Sequence, residues 1–300
     1  MVNITLSLIA LLLSVAFYTL LERKILSYIQ LRKGPNKVSL MGILQPFSDA
    51  IKLFNKNLSI PTNSNMILIM LIPACSFMLS LMMWPLLPME KFCLIDNHFN
   101  TLIFFIISSL TVYTILTIGW AANSKYSQLG SMRSIAQMIS YEINFFMIMI
   151  MFLILYHTYQ MKMFYMFNNM WVIYALSLTF SIWMIICLAE VNRSPFDFAE
   201  GESELVSGFN VEFSGGLFAL IFLSEYMNMI LLSYLSTILF TGTSSLLLSL
   251  AFLMSTICLL LWVRGTFPRF RYDLLMKMNW KTFLPLTTMT LIPMSLYVFL

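Results

Sequence analysis

Long stretches without Asp, Glu, Lys or Arg alternate with short charged connections along the whole chain. The charge-free runs cover 1–21, 57–89, 97–124, 143–161, 163–189, 226–263 and 282–300, with a further run at 213–224 that only Glu225 interrupts. About 20 apolar residues in a helix cross the hydrocarbon of a bilayer. These runs are too long and too uniformly apolar for the alternating strands of a membrane barrel. The pattern therefore predicts an all-α polytopic membrane protein, one transmembrane domain over 1–300. Its spans are about 2–21, 66–87, 99–118, 136–156, 169–189, 213–239, 246–263 and 282–299, with a turn at 241–245 separating two of them. One connection has a different rhythm. In 43–56, Ile43, Leu44, Phe47, Ile51 and Phe54 recur at helical spacing, while Gln45, Ser48, Asp49, Lys52 and Asn55 take the other face. Pro46 falls near its start, where a missing N–H is harmless. This segment is too short and too charged to cross, so it reads as an interfacial helix, either a surface anchor or part of a ligand passage.

Composition agrees. Apolar residues make up 60% of the 300 and charged residues 10%, against roughly 25% charged in a soluble domain. A soluble enzyme is excluded, and the small positive balance, +4, gives no solvated basic face for nucleic acid. The charge is informative in its sidedness. Connections 22–65, 119–135, 190–212 and 264–281 hold 15 of the 17 Lys and Arg, leaving only Lys91 and Lys162 opposite. By the positive-inside rule those four connections face the cytoplasm, or the matrix of a mitochondrion, and both termini face outward. The first run, with its charges Glu22-Arg23-Lys24 behind it, reads as a span rather than a cleaved signal. The four cysteines show no paired spacing and read as small core residues.

The acidic residues break this order. The connection 190–212 carries Glu190, Asp197, Glu200, Glu202, Glu204 and Glu212 against the single Arg193, on the side that is otherwise basic. Glu142 opens one span. Glu225 lies 13 residues beyond Glu212, about 20 Å deeper at helical rise, where an ionisable group is costly and a candidate for function. A solvated acidic loop is the plain reading of 190–212. Against it, Phe196, Phe198, Ala199, Leu205, Val206 and Phe209 are interleaved with the acids, so half of the segment must face inward. If helical, it would place Asp197, Glu200 and Glu204 on one face, where like charges repel. Crowded, half-buried carboxylates titrate as a coupled set, with raised proton affinity. Arg193 could pair with Glu190 or Asp197 and bias which of them stays ionised. Proton handling is the reading that uses these features.

No nucleotide-phosphate loop and no cysteine cluster for iron–sulfur occur. The histidines, His98 and His157, both fall on the outward side, so bis-His haem ligation is disfavoured. The chain is expected to carry no redox centre and no metal, although it could hold a redox-active ligand served by a partner.

Several segments together resemble the chain 1 family of respiratory NADH–ubiquinone oxidoreductase (complex I). They are Arg32-Lys-Gly-Pro-Asn36, Gln45-Pro-Phe-Ser-Asp-Ala-Ile-Lys52, Gly119-Trp-Ala-Ala-Asn-Ser-Lys-Tyr126, Ile139-Ser-Tyr-Glu142, the block Ala189–Asn210 and Pro268-Arg-Phe-Arg-Tyr-Asp273. The likeness covers essentially the whole chain and resembles a mitochondrially encoded animal copy. It departs at Phe213, where many relatives have Tyr. The resemblance implies a core subunit of the mitochondrial inner membrane that forms the entrance and lower part of a ubiquinone tunnel. It also implies the first stretch of an acidic path coupling quinone reduction to proton pumping. NADH, FMN and iron–sulfur clusters would belong to partner subunits: the hydrophilic quinone-site subunits, alongside adjacent membrane-arm subunits and lipid. Carried over, the proton-coupling positions are Glu142, Glu190, Asp197, Glu200, Glu202, Glu204, Glu212 and Glu225. Arg23, Arg32, Arg193 and Arg271 would line or support the tunnel. Its apolar wall would come from span one, the 43–56 helix with Phe47, and Phe218 and Phe222.

Three other readings make different demands. An ion antiporter would show inverted repeats, and none pairs 1–150 with 151–300. A hydrogenase membrane subunit would share the charged motifs. A purely structural anchor would have no use for Glu225.

Overall fold

The computed structural model of the chain describes residues 2–299 apart from 90–91, 169–170, 200 and 243–245, and only the backbone at 92, 171, 202–203 and 297–299. Glu200, the side chain of Glu202 and most of the 241–245 turn therefore lie outside the described residues. Most of the described chain is helical. In chain order the helices are α1 (Val2–Ile29), α2 (Gln45–Phe54), α3 (Met66–Met83), α4 (Asn100–Ala122), α5 (Lys125–Tyr156), α6 (Met161–Phe167), α7 (Trp171–Ala175), α8 (Ser177–Glu190), α9 (Glu202–Leu205), α10 (Gly215–Phe240), α11 (Leu246–Thr266), α12 (Tyr272–Met278) and α13 (Leu284–Phe299). A two-residue antiparallel pair, Pro88–Met89 with Phe92–Cys93, closes the turn after α3.

Among the described residues, six helices are long and apolar enough to cross a membrane: α1, α3 with its 3-10 extension to Leu86, α4, α5, α10 and α11. The shorter apolar helices α8 and α13 run 14 and 16 residues. Where boundaries differ from the charge-free runs, the cause is local. The helix expected over 136–156 starts at Lys125, because Ser124 caps it reciprocally with Ser127. The small residues Ser127, Gly130, Ser131 and Ser134 bury this first part, letting it approach α4 and the 3-10 turn Gly208–Asn210 as small residues do between membrane helices. A Cβ on Gly130 would stand 2.9 Å from the backbone nitrogen of Phe209. The run 169–189 breaks at Leu176, whose backbone leaves the helical region (φ −112, ψ 36), so α8 starts at Ser177. A π-helical turn, Asn279–Phe283, joins α12 to α13. It brings Asn279 against α5, where its amide donates to the Ser140 carbonyl and its oxygen accepts from Asn144, both at 2.5 Å.

The core lies where α5, α8 and α10 meet, around an aromatic stack. Trp183 lies 5.0 Å from Phe145, and Phe152 lies 5.3 Å from Phe240, ring to ring. The amphipathic segment 43–56 is helical over Gln45–Phe54: α2 has Pro46 in its first turn and leaves Ile51 and Phe54 exposed.

A buried acidic centre as the candidate functional site

Three carboxylates from three elements converge on one polar interior. Glu142 comes from the middle of α5, Glu190 from the last residue of α8 and Glu225 from the second turn after Phe218 on α10. Two adjoining cavities of about 50 Å³ each lie between them. Glu190, Asn228, Thr111, Met138 and Val191 line both; Glu225 lines one and Glu142 the other. One oxygen of each of Glu142, Glu190 and Asn228 is buried with no hydrogen-bond partner among the described residues. Such spaces are large and polar enough for water. Water in these spaces would lie beside Glu225 in one and Glu142 in the other, with Glu190 bordering both.

The 190–212 connection is held in place by its interleaved apolar residues, as its sequence requires. Phe196, Phe198, Ala199, Leu205 and Phe209 are buried, whereas Val206 is exposed. Gln137 of α5 donates to the carbonyls of Ala189 and Phe196 at 2.9 and 3.0 Å. Phe196 stacks on Phe270, and Phe198 meets Tyr272 edge-on. Among the described residues of this connection beyond α8, Glu202–Leu205 is α-helical and Gly208–Asn210 forms a 3-10 turn, so Asp197 and Glu204 do not share a helical face. Asp197 instead pairs with Arg269 at 3.4 Å, and Glu204 with Arg133 at 2.5 Å. Glu212 is half-buried.

Arg193 turns inward. Rather than pairing with Glu190 or Asp197, as its neighbours in sequence suggest, it reaches Glu225 at 3.5 Å, and its guanidinium lies 4.8 Å from the centre of the Tyr226 ring. The residue is 5% exposed. The Tyr226 hydroxyl donates to Glu22 Oε2 at 2.6 Å, and the other Glu22 oxygen pairs with Arg264 of α11. A continuous chain, buried at Arg193 and Glu22 and half-buried elsewhere, thus runs Glu225–Arg193–Tyr226–Glu22–Arg264, linking α10, the 190s connection, α1 and α11.

An aromatic ladder leads to that chain from outside. Phe218 and Phe222 are 4.4 Å apart, and Phe222 and Tyr226 6.4 Å, along one stripe of α10. Phe54 of α2 packs against Gly216, and Phe47 lies 6.1 Å from Phe17 of α1. Arg23 pairs with Asp49 across α1 and α2. Arg32 is exposed in the loop after α1, and Arg271 pairs with Asp273 at 3.1 Å, well exposed. Glu142, Glu190, Glu225 and Arg193 thus gather in the interior. Phe47, Phe218, Phe222 and Arg23 gather where α1, α2 and α10 meet. Asp197, Glu204 and Arg271 remain at the rim.

Sequence reasoning passed over Glu22, Tyr226, Arg264, Gln137 and Asn228. Glu22 had a signal: the buried residues of α1 are Leu11, Val15, Tyr18 and Glu22, a 4-3-4 spacing that puts the acid on the inward stripe.

Comparison with known proteins follows the same direction. The family model described as NADH dehydrogenase matches residues 2–295. NADH-ubiquinone oxidoreductase chain 1 of Aedes aegypti is 48% identical over 281 residues, covering 93% of this chain and 90% of that one. The chain 1 proteins of Myxine glutinosa and Papio hamadryas are 47% and 46% identical over 294 residues, with 96% and 95% of this chain and 92% of each relative covered. With an all-helical membrane architecture and a buried acidic centre already in place, this chain belongs to the NADH dehydrogenase chain 1 family.

Proposed function

We propose that the chain is a membrane subunit of respiratory NADH–ubiquinone oxidoreductase in the mitochondrial inner membrane, coupling quinone chemistry in a neighbouring subunit to proton movement in the membrane. In this reading the chain crosses the membrane eight times as one domain. The connections 22–65, 119–135, 190–212 and 264–281 face the matrix, and both termini face the intermembrane space. It meets the hydrophilic quinone-site subunits over the matrix-side loops and the pumping subunits within the membrane. NADH, FMN and the iron–sulfur clusters belong to those partners, and lipid surrounds the rest.

The place where α1, α2 and α10 meet, with Phe47, Phe218 and Phe222, offers the apolar wall that a polyprenyl tail needs. Arg23 and Arg32 flank it, with Arg271 supporting the loops above. Reducing a quinone to a quinol takes up two electrons and two protons, so charge changes above that wall. The Glu22–Tyr226–Arg193 chain carries that change to Glu225, and the two cavities carry it on to Glu190 and Glu142. Asp197, Glu200, Glu202, Glu204 and Glu212 supply the acidic approach from the matrix side. The observation that carries the reading is the convergence of three carboxylates on adjoining water-sized cavities, joined through Arg193 to the face bearing the aromatic ladder. A Glu190→Gln substitution in the intact complex tests it. Ubiquinone-dependent turnover or protons pumped per electron pair is expected to fall, while NADH oxidation by ferricyanide stays unchanged. Unchanged turnover and stoichiometry would remove Glu190 from the path.

A further inference from the structure

A large apolar recess shares no lining residue with the two cavities of the acidic centre. It has a volume of about 440 Å³ and lies between α8 and α11, with Met184, Ile185 and Leu188 on one wall and Leu259, Leu260 and Val263 on the other. Its one polar residue is Ser181, whose hydroxyl is turned back onto the Leu178 carbonyl at 2.7 Å. Pro195, Phe196 and Phe270 close it at the end nearest the charged loops. Along α8 it extends from Phe180 to Leu188, about 12 Å at helical rise.

We propose that this slot seats an acyl chain of an anionic phospholipid, whose headgroup phosphate is held by Lys277 and Lys281. Met278 lines the slot, and its neighbours Lys277, Trp280 and Lys281 are all exposed. The stretch 268–281 carries four cations and one acid. Arg269 is paired with Asp197 and Arg271 with Asp273. No ion-pair partner is found for Lys277 or Lys281 among the described residues. Exposed lysines beside a tryptophan at the edge of an apolar slot match the charge and amphipathic depth of a phosphodiester at the interface. A quinone headgroup is neutral and has no use for that pair. The slot is also walled off from the α1–α2–α10 junction by α11 itself, whose opposite side packs through Gly265 against Leu26 and Ile29 of α1. This assignment is thus independent of the quinone reading.

The test uses the intact, delipidated complex and a phosphatidylglycerol carrying a photoactivatable group on its acyl chain. Adducts are expected on Met184, Ile185, Leu259 and Leu260. Unlabelled phosphatidylglycerol should compete them away, and phosphatidylcholine should compete far less well. A Lys277→Gln/Lys281→Gln variant should weaken competition about fivefold per charge, about thirtyfold in all. Ser181→Trp, which fills the slot, should abolish the adducts while ferricyanide reduction continues. Adducts confined to other helices, equal competition by phosphatidylcholine, or crosslinking of a partner subunit's helix into the slot would each overturn the proposal. If Ser181→Trp prevents assembly, the lysine variant and the adduct map of the unaltered complex still decide.

Discussion

Arg193→Met severs the chain between Glu225 and Tyr226. The native guanidinium meets Glu225 at 3.5 Å and the Tyr226 ring at 4.8 Å, and both charged side chains are largely removed from solvent. Replacing it by Met keeps the bulk but leaves the Glu225 carboxylate without this guanidinium. Removing one partner of a buried ion pair costs about 3–5 kcal/mol, and a desolvated cation–π contact adds about 2 kcal/mol. The contact distance is looser than that of a bidentate pair, and Glu225 retains 19% side-chain exposure, so the lower end applies. A loss of about 3 kcal/mol corresponds to a factor of more than about a hundred in a folding or assembly equilibrium. The assay is the rate constant of thermal inactivation of the purified complex at one fixed temperature, whose logarithm is compared across a double-mutant cycle with Glu225→Met.

The decisive result is the double variant. If the cost of the single change is an uncompensated carboxylate, Arg193→Met/Glu225→Met recovers most of the lost stability, with a coupling of about 2–3 kcal/mol. Arg193→Lys should fall between the parent and Arg193→Met, because an ammonium keeps the charge but cannot lie flat on the Tyr226 ring. Additive losses in the double variant would refute the pair as an energetic unit.

Three further outcomes follow from individual contacts. Glu22→Leu strands both Arg264 and the Tyr226 hydroxyl and should lower the inactivation midpoint markedly, whereas Glu22→Gln keeps an acceptor for Tyr226 and should cost less. Equal losses would show that the charge alone matters. Gln137→Leu removes two donated hydrogen bonds; the Ala189 and Phe196 carbonyls keep the backbone N–H groups of Asn192 and Phe198, so the expected cost is about 1 kcal/mol per bond. Amide exchange across 189–198 should accelerate, and unchanged protection would contradict the tethering role. The Cys93 thiol, outside the spans, is pushed up to about 11, first by burial and then by Asp96. As an acid with a raised pKa it stays protonated at neutral pH, so maleimide labelling should be slow at pH 7.5 and rise about tenfold per pH unit toward 11. Labelling at the rate of a free thiol would refute the packing around it.

Hydropathy made most of the bundle legible, because only long apolar helices satisfy their backbone in lipid. The amphipathic 43–56 pattern likewise marked α2. Charge counting failed at α5, where Lys125 and Arg133 belong to a helix that continues past the apolar run: a serine cap and buried small residues stabilise its first turns. It failed at 169–189 too, since hydropathy is blind to a backbone break at Leu176. The interleaved Phe and Leu of 190–212 correctly announced a segment packed inward. Nothing local revealed the partner of Arg193, because Glu225 and Tyr226 are more than 30 positions away and approach only through the packing of α10 on the connection. Glu22 was concealed differently. Its neighbours Arg23 and Lys24 make an ordinary interfacial belt, and only the register of Leu11, Val15 and Tyr18 separates it from them.

The distribution of ion pairs argues that the interior charges are kept for a reason other than stability. Asp49–Arg23, Glu204–Arg133 and Asp273–Arg271 lie where at least one partner is well exposed, and such pairs contribute between nothing and about 1 kcal/mol. Their loss would be tolerated. Glu22, Glu142, Glu190 and Glu225 lie inside a bundle whose core is mostly Leu, Ile, Met and Phe, with Thr111, Ser224 and Asn228 beside the acids. Well-packed apolar replacements for a buried pair are often neutral or stabilising, by about 1–4 kcal/mol. A chain shaped only for cohesion would have lost these acids. The arrangement is also asymmetric: Glu22 and Glu225 have guanidinium partners, whereas Glu142 and Glu190 share a cavity with Asn228 and have none among the described residues. In the proposed function, a charge displaced near Arg193 would meet first the acids held by cations, and beyond them the acids that only water-sized space connects.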